Sequence, residues 1–323
     1  MKFRRRQFLH LAAGAAALPV FSRITLAQSY PMRPVHVIVG FPAGSGPDIT
    51  ARLMAQWISE HLGQSFVIEN RPGAASNIAT ELVVRASPDG YTLLTAVTSN
   101  AINATFYDNL NFNFVRDIAP VAGMVRSPYV MVVNPSVPAK TVLEFIAYAK
   151  ANPGNINMGS SGNGSTPHLY GELFKTMAGI DLLHVPYRGN YLPDLLAGQV
   201  QVAFAPLPSS IEFIRAGKLR ALAVTTAARL DVLPDVPTVG DVLPGYEASS
   251  WTGITAPRNT PVDIIDKLNK AINAGLADAK ITERLADLGG LPMPMTPAEF
   301  GKFIVDETEK WGKVIRAANI KPD

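Results

Sequence analysis

Two short segments hold the residues best suited to gripping an anion without a cationic side chain. The first is Phe41-Pro42-Ala43-Gly44-Ser45-Gly46-Pro47-Asp48; the second is Gly159-Ser160-Ser161-Gly162-Asn163-Gly164-Ser165-Thr166-Pro167-His168. Both contain the string Gly-Ser-x-Pro, at residues 44–47 and 164–167. Glycine permits a turn of positive φ, serine and threonine carry hydroxyl donors, and proline suits a first helical turn. If each segment opens a helix, its first N–H groups lack intrahelical acceptors and sit at the positive end of the helix dipole. A carboxylate or phosphate is favoured there. A strand-to-helix turn with no ligand would read the same way, and three matched letters in four positions do not separate the two. Thr166 is placed to cap its helix through the hydroxyl, with Pro167 at the first helical position. Asp48 either answers the dipole of its helix or meets a ligand hydroxyl, amine or bridging water.

Other chemistries find little support. The chain has no cysteine, so thiol catalysis, iron–sulfur clusters and cysteine-based zinc sites are excluded. His36, His61, His168 and His184 show no ligand spacing such as HExxH, and neither a metal nor a cofactor is expected. His36 and His184 read as strand residues, His61 as a helix-surface residue and His168 as a first-turn packing residue. Gly159-Ser160-Ser161-Gly162 does not match G-x-S-x-G, and the glycine segments lack both the P-loop lysine and the pattern G-x-G-x-x-G. An enzyme is therefore not expected.

The elements around the two segments follow from hydrophobic period. Residues 35–39 are apolar and β-branched, a buried strand; residues 49–62 carry stripes at Ile49, Leu53, Trp57 and at Met54, Ile58, Leu62, an amphipathic helix. Strands are predicted at 65–69, 91–97, 130–133, 155–158, 182–186, 199–205, 219–224 and 251–256. Helices are predicted at 77–85, 141–150, 192–196, 209–215, 261–276, 279–288 and 297–317, and one follows His168. Thr98-Ser99-Asn100 stands where a helix cap would sit. This alternation predicts α/β architecture with doubly wound sheets. Residues 227–245, rich in proline and turn residues, are a candidate crossover between domains.

The first 27 residues are of another kind. A basic head (Lys2, Arg4, Arg5, Arg6) precedes the apolar run 11–21, which is too short to span a bilayer, and Thr25-Leu26-Ala27 offers small residues for cleavage. This is a secretory signal, and Arg5-Arg6-Gln7-Phe8-Leu9 resembles a twin-arginine export sequence. The formal charge of +3 falls to −2 once the five basic residues of that segment are removed. The remaining chain has no basic excess to suggest a nucleic-acid partner.

Taken together, the chain resembles the substrate-binding proteins of tripartite tricarboxylate transporters, the Bordetella-uptake-gene family. The resemblance rests on Phe41-Pro42-Ala43-Gly44 with Asp48, Glu69-Asn70-Arg71-Pro72-Gly73-Ala74, Ser87-Pro88-Asp89-Gly90-Tyr91, Ser160-Ser161-Gly162-Asn163-Gly164-Ser165 with His168, Val185-Pro186-Tyr187-Arg188-Gly189, residues 217–225 and Leu233-Pro234-Asp235-Val236-Pro237-Thr238. It implies a two-lobed periplasmic binding protein fold of type II (a Venus flytrap), each lobe a doubly wound mixed sheet flanked by helices. The implied lobes are 28–126 plus 228–323, and 127–227. The implied function is capture of a small organic carboxylate in the cleft, for delivery to the membrane permease subunits of a tripartite transporter. A monomer is expected, and presentation of the acid to a membrane sensor kinase is the alternative role.

The ligand-binding residues implied are Phe41, Ala43, Gly44, Ser45, Asp48, Thr98, Ser99, Ser160, Ser161, Gly164, Ser165, Thr166, Tyr187 and Ala205. Phe41 and Tyr187 would pack on the ligand body. Two positions depart from the family pattern. Ser45 stands where many members have glycine, and Ala205 where many carry an acid. The second departure implies an apolar or aromatic carboxylate rather than an amino acid.

Overall fold

The structure is a computed structural model and describes residues 30–188 and 190–322. The export segment 1–27, and Gly189 of the expected turn after Tyr187, lie outside the described residues. Strands and helices follow one another as β1 (Val35–Val39), α1 (Gly46–Leu62), β2 (Phe66–Asn70), α2 (Asn77–Val84), β3 (Thr92–Val97), α3 (Thr98–Phe106), α4 (Phe114–Asp117) and β4 (Ile118–Val133). The chain continues as α5 (Val142–Ala151), β5 (Asn157–Ser160), α6 (Thr166–Ala178), β6 (Leu183–Pro186), α7 (Leu192–Leu196), β7 (Val202–Pro206), α8 (Leu207–Arg215) and β8 (Arg220–Val224). It ends with β9 (Ser249–Pro257), α9 (Val262–Ala277), α10 (Ala279–Asp287), β10 (Leu291–Pro292) and α11 (Pro297–Ala317).

The strands run in the order β2-β1-β3-β9-β4-β7-β5-β6, with β8 and β10 also paired to β4. The βα crossovers make β1 parallel to β2 and β3, and β5 parallel to β6 and β7. Strand β4 joins the two sets. Ile118 to Pro128 pair with β9, and Tyr129 to Val133 pair with β7, antiparallel in both cases. The register of β4 shifts at Pro120/Ala122 and Gly123/Val125. Proline cannot donate to a ladder, and such irregularities bend a strand. The sequence reading placed a strand only at 130–133. The prolines and Gly123 hide the first eleven residues of β4, which pairing with β9 nevertheless holds extended.

Helices cover both faces. Met54, Ala55 and Ile58 of α1 pack with Leu268 and Ile272 of α9 over Val35, Val37 and Leu93. Tyr191, Leu195 and Leu207 lie over Val130, Val132 and Ala203. A third cluster is continuous through both strand sets, from Ile38 and Leu94 through Met131 and Phe204 to Trp251 and Trp311. Burying each such side chain contributes about 1.5–3 kcal/mol. The stretch 227–245, read as a crossover, packs beside the second strand set: Leu230 and Leu233 join Val130 and Val224, while Val239 and Tyr246 join Phe174 and Phe204. Thr98-Ser99-Asn100 does not precede a helix but forms the first turn of α3. The Asn100 side chain accepts the Val97 N–H there at 2.8 Å.

Candidate functional site

The two Gly-Ser-x-Pro segments fold as one device used twice. Gly44 and Gly164 adopt φ of +81° and +69°, which asparagine and aspartate tolerate only at some cost and β-branched residues hardly at all. Ser45 and Ser165 follow as helix N-caps with φ, ψ of −72°, 160° and −69°, 159°. Ser45 donates its N–H to Pro42 O and Ser165 to Gly162 O, both at 3.2 Å. The prolines fall at the second helical position, so Ser165, not Thr166, is the cap. Neither serine caps through its side chain. Thr166 Oγ1 instead shares a 3.0 Å hydrogen bond with the Tyr129 hydroxyl.

The match extends one residue beyond the shared string. Asp48 Oδ2 accepts the Gly44 N–H at 2.8 Å, and His168 Nδ1 accepts the Gly164 N–H at 3.1 Å. Each left-handed glycine is therefore tied to the side chain four residues on. Asp48 is 1% exposed and also accepts from Arg52 Nε and from Asn70 Nδ2, the latter at 2.8 Å. Burial pushes its carboxyl upward, but the bonds from Arg52, Gly44 N–H and Asn70 outweigh this and hold it below the ordinary range. Asp48 thus braces its loop from beneath.

His168 is also buried, and its ring stacks on His184 at 3.5 Å with 6° between planes. His184 Nε2 lies 2.6 Å from Ser160 Oγ, which also donates to Gly162 O. Because Nδ1 of His168 is an acceptor, its proton sits on Nε2, 3.7 Å from Glu172 Oε1. Burial raises Glu172, yet His168 and Lys175 together leave it lowered. The buried Ser45 Oγ has no hydrogen-bond partner.

Between the two helix ends lies a cavity of about 690 Å³. Of the residues expected at the site, Phe41, Thr98, Ser99, Ser161, Gly164, Ser165 and Thr166 line it. Ala43, Gly44, Ser45, Asp48, Ser160, Tyr187 and Ala205 are not among the lining residues. Asp48 and Ser160 point into the loops they brace. Tyr187 donates its hydroxyl to Asp194 at 2.6 Å; burial and that carboxylate push the phenol up to about 12. Ala205 is fully buried among Val130, Val132 and Tyr191, so its small side chain faces core, not cavity; Pro206 and Pro208 line the wall beside it.

Residues that the sequence reading did not select complete the cavity: Ile49, Thr50, Ile102, Asn103, Phe106 and Tyr107 from the first strand set's helices, and Ser127, Tyr129, Ser250 and Trp251 from β4 and β9. Ile49 and Thr50 come with the first turn of α1, where Ile49 read as part of an apolar stripe; no sequence pattern marks the others, which tertiary pairing brings there. No charged side chain is among the lining residues. Among the described residues no group of three or more His, Asp or Glu side chains is placed to hold a metal ion.

Comparisons with known proteins bear on the family and the fold. The family model described as "Tripartite tricarboxylate transporter family receptor" matches residues 50–320. Protein BugT of Bordetella pertussis is 34% identical over 318 residues, covering 97% of this chain and 96% of that protein. Among solved structures, R. palustris Rpa4515 with adipate has a TM-score of 0.77 at 38% identity, covering 91% of this chain and 100% of that one. MatC (Rpa3494) from Rhodopseudomonas palustris with bound malate has a TM-score of 0.73 at 31% identity, covering 88% and 100%.

Proposed function

The chain belongs to the tripartite tricarboxylate transporter receptor family, and on that premise we propose that it captures a small organic carboxylate between the N-termini of α1 and α6 and delivers it to the membrane permease subunits of such a transporter. Members of this family are periplasmic solute-binding receptors rather than enzymes. The observation that carries the ligand class is the repeated joint. Two helices of 17 and 13 residues open at one cavity, each after a braced left-handed glycine, and no lysine or arginine lines the space. The first-turn N–H groups can then replace the hydration shell of a carboxylate. Solved relatives holding adipate and malate accord with that chemistry.

Phe41, Thr98, Ser99, Ser161, Gly164, Ser165 and Thr166 are assigned ligand contact. Gly44, Asp48 and Ser160 act through loop shape. The first lobe boundary stays on β4 near Ser127, and the return is placed near Ala248, where the chain enters β9, instead of at 227/228. The packing of Leu230, Leu233, Val239 and Tyr246 beside the second strand set supports that choice. Export through the twin-arginine route is part of the same reading, and undiminished export after replacing both Arg5 and Arg6 by lysine would exclude it. The central test is a thermal-shift screen of the purified protein against organic acids and matched neutral amides. A rise in melting temperature with acids alone is expected. Equal rises with the amides, or none with any acid, would overturn the carboxylate reading.

A further inference from the structure

The cavity has two unlike ends. At one, Gly164 rests against Phe106: a Cβ on that glycine would lie 2.6 Å from Cζ of the ring. Here the α1 and α6 openings converge with Thr98 and Ser99 at the start of α3. At the other end the loop after α10 meets the start of α8. A Cβ on Gly289 would lie 2.6 Å from Pro208 Cγ, and one on Gly290 would lie 2.6 Å from Val125 Cγ1. Leu285, Leu288 and Pro206 complete that wall.

The start of α8 differs from the α1 and α6 openings in its cap, not in its first-turn proline, since Pro47, Pro167 and Pro208 all stand at the second helical position. Its cap is Pro206, which has no N–H, the residue before it is Ala205 of β7 and not a left-handed glycine, and the hydroxyls of Ser209 and Ser210 both donate back to Pro206 O, at 2.9 and 3.0 Å. A carboxylate brought against Val125, Pro206, Pro208, Leu285 and Leu288 would meet apolar surface and no cationic side chain, which is unfavourable.

Resting on the carboxylate reading above, we infer that the solute is a monocarboxylate with an apolar body, its single charged group at the α1/α6 end and its tail against Val125, Pro206, Pro208, Leu285 and Leu288. The volume suits this reading, since 690 Å³ falls in the upper half of the ~300–1,000 Å³ range for small-molecule sites and leaves room beyond one carboxylate. Di-acids of the kind held by the solved relatives would place their second carboxylate against this wall.

Isothermal titration of the purified protein with two matched pairs tests the inference: hexanoate against adipate, and benzoate against terephthalate. In at least one pair the mono-acid is expected to bind about tenfold more tightly or better. Leu288→Lys, at a half-buried position, should move that ratio about tenfold toward the di-acid by supplying the missing partner. Di-acids that bind as tightly as their mono-acids in both pairs overturn the inference while leaving the carboxylate reading standing. The same holds for a Leu288→Lys protein of unchanged melting temperature whose ratio does not move. Failure of all four acids to bind at millimolar concentration overturns both.

Discussion

At the scale of single residues, the site depends on side chains that never touch the cavity. Asp48 accepts the Gly44 N–H and bonds to Arg52 and Asn70, so removing its charge weakens several contacts at once. Asp48→Asn should cost about 1–2 kcal/mol of stability near neutral pH. Its folded pKa is lowered, so the contribution is present above the unfolded value, about 4, and is lost as pH falls through the lower folded value. Urea melts of both proteins should therefore differ fully at pH 7 and converge below pH ~4; a gap unchanged at low pH would show that the carboxylate charge does not matter. Ser45 presents the opposite case. Its Oγ is buried without a partner, an unfavourable state that methyl substitution relieves. Ser45→Ala should raise stability by about 0.5–1 kcal/mol and leave carboxylate affinity within about twofold. A large loss of affinity would mean that the hydroxyl turns to the ligand.

At the scale of elements, the two joints act because each glycine is held in the left-handed region at a helix entrance. Gly164 has a second constraint, the Phe106 ring from α3 lying across it. Gly164→Ala introduces the positive-φ penalty, about 1–2 kcal/mol, and a steric clash of similar size. In a Phe106→Ala background only the first penalty remains, so the glycine substitution should cost about half as much there, a coupling that a double-mutant cycle in urea would measure. Simple additivity would remove Phe106 from the account.

How much of this was legible beforehand divides along the same line. The joints were readable, because glycine, serine and proline report local backbone geometry. The next position, Asp48 and His168, differs in its letters and corresponds only through the bond each side chain makes to the glycine four residues earlier. Helix α3 and most of β4 were not readable. Thr98-Ser99-Asn100 resembles a cap, and Pro120, Gly123 and Pro128 interrupt a strand that only its pairing with β9 keeps extended. Phe106 and Tyr129 came from those unread elements, while Trp251 lies on β9, a strand expected at 251–256 whose place beside the cavity only the pairing with β4 reveals. Tyr187 and Ala205 were assigned by resemblance alone, and their side chains turn to Asp194 and to the core.

At the scale of the molecule, the sheet itself is the connection between the two glycine joints. Strand β4 passes from β9 to β7 at Pro128/Tyr129, beside the entry to β9 at Ser249. Helix α11 spans this region. Its buried Glu307 accepts from Trp251 Nε1 at 3.1 Å and Trp311 Nε1 at 2.9 Å, and Trp311 stacks on Tyr170 of α6. Nearby, Arg126 of β4 pairs with Glu247, in the segment leading into β9, at 2.7 Å. A cavity residue, the strand crossing and the second joint's helix are thus joined through one carboxylate. On the proposed division, bending at the crossing would move the α6 opening relative to the α1 opening, with the core cluster shared by both strand sets deforming between them. A carboxylate that touches both openings binds the closed arrangement better and shifts the population toward it. Because the chain has no cysteine, Ile78→Cys on α2 and Pro186→Cys at the end of β6, both exposed, can carry a fluorophore pair without competing thiols. Energy transfer between them should rise on adding the tightest acid, saturating at the concentration set by titration calorimetry. If transfer stays flat while heat of binding is observed, the two joints do not move with respect to one another, and the division of the chain at β4 and β9 has no functional meaning.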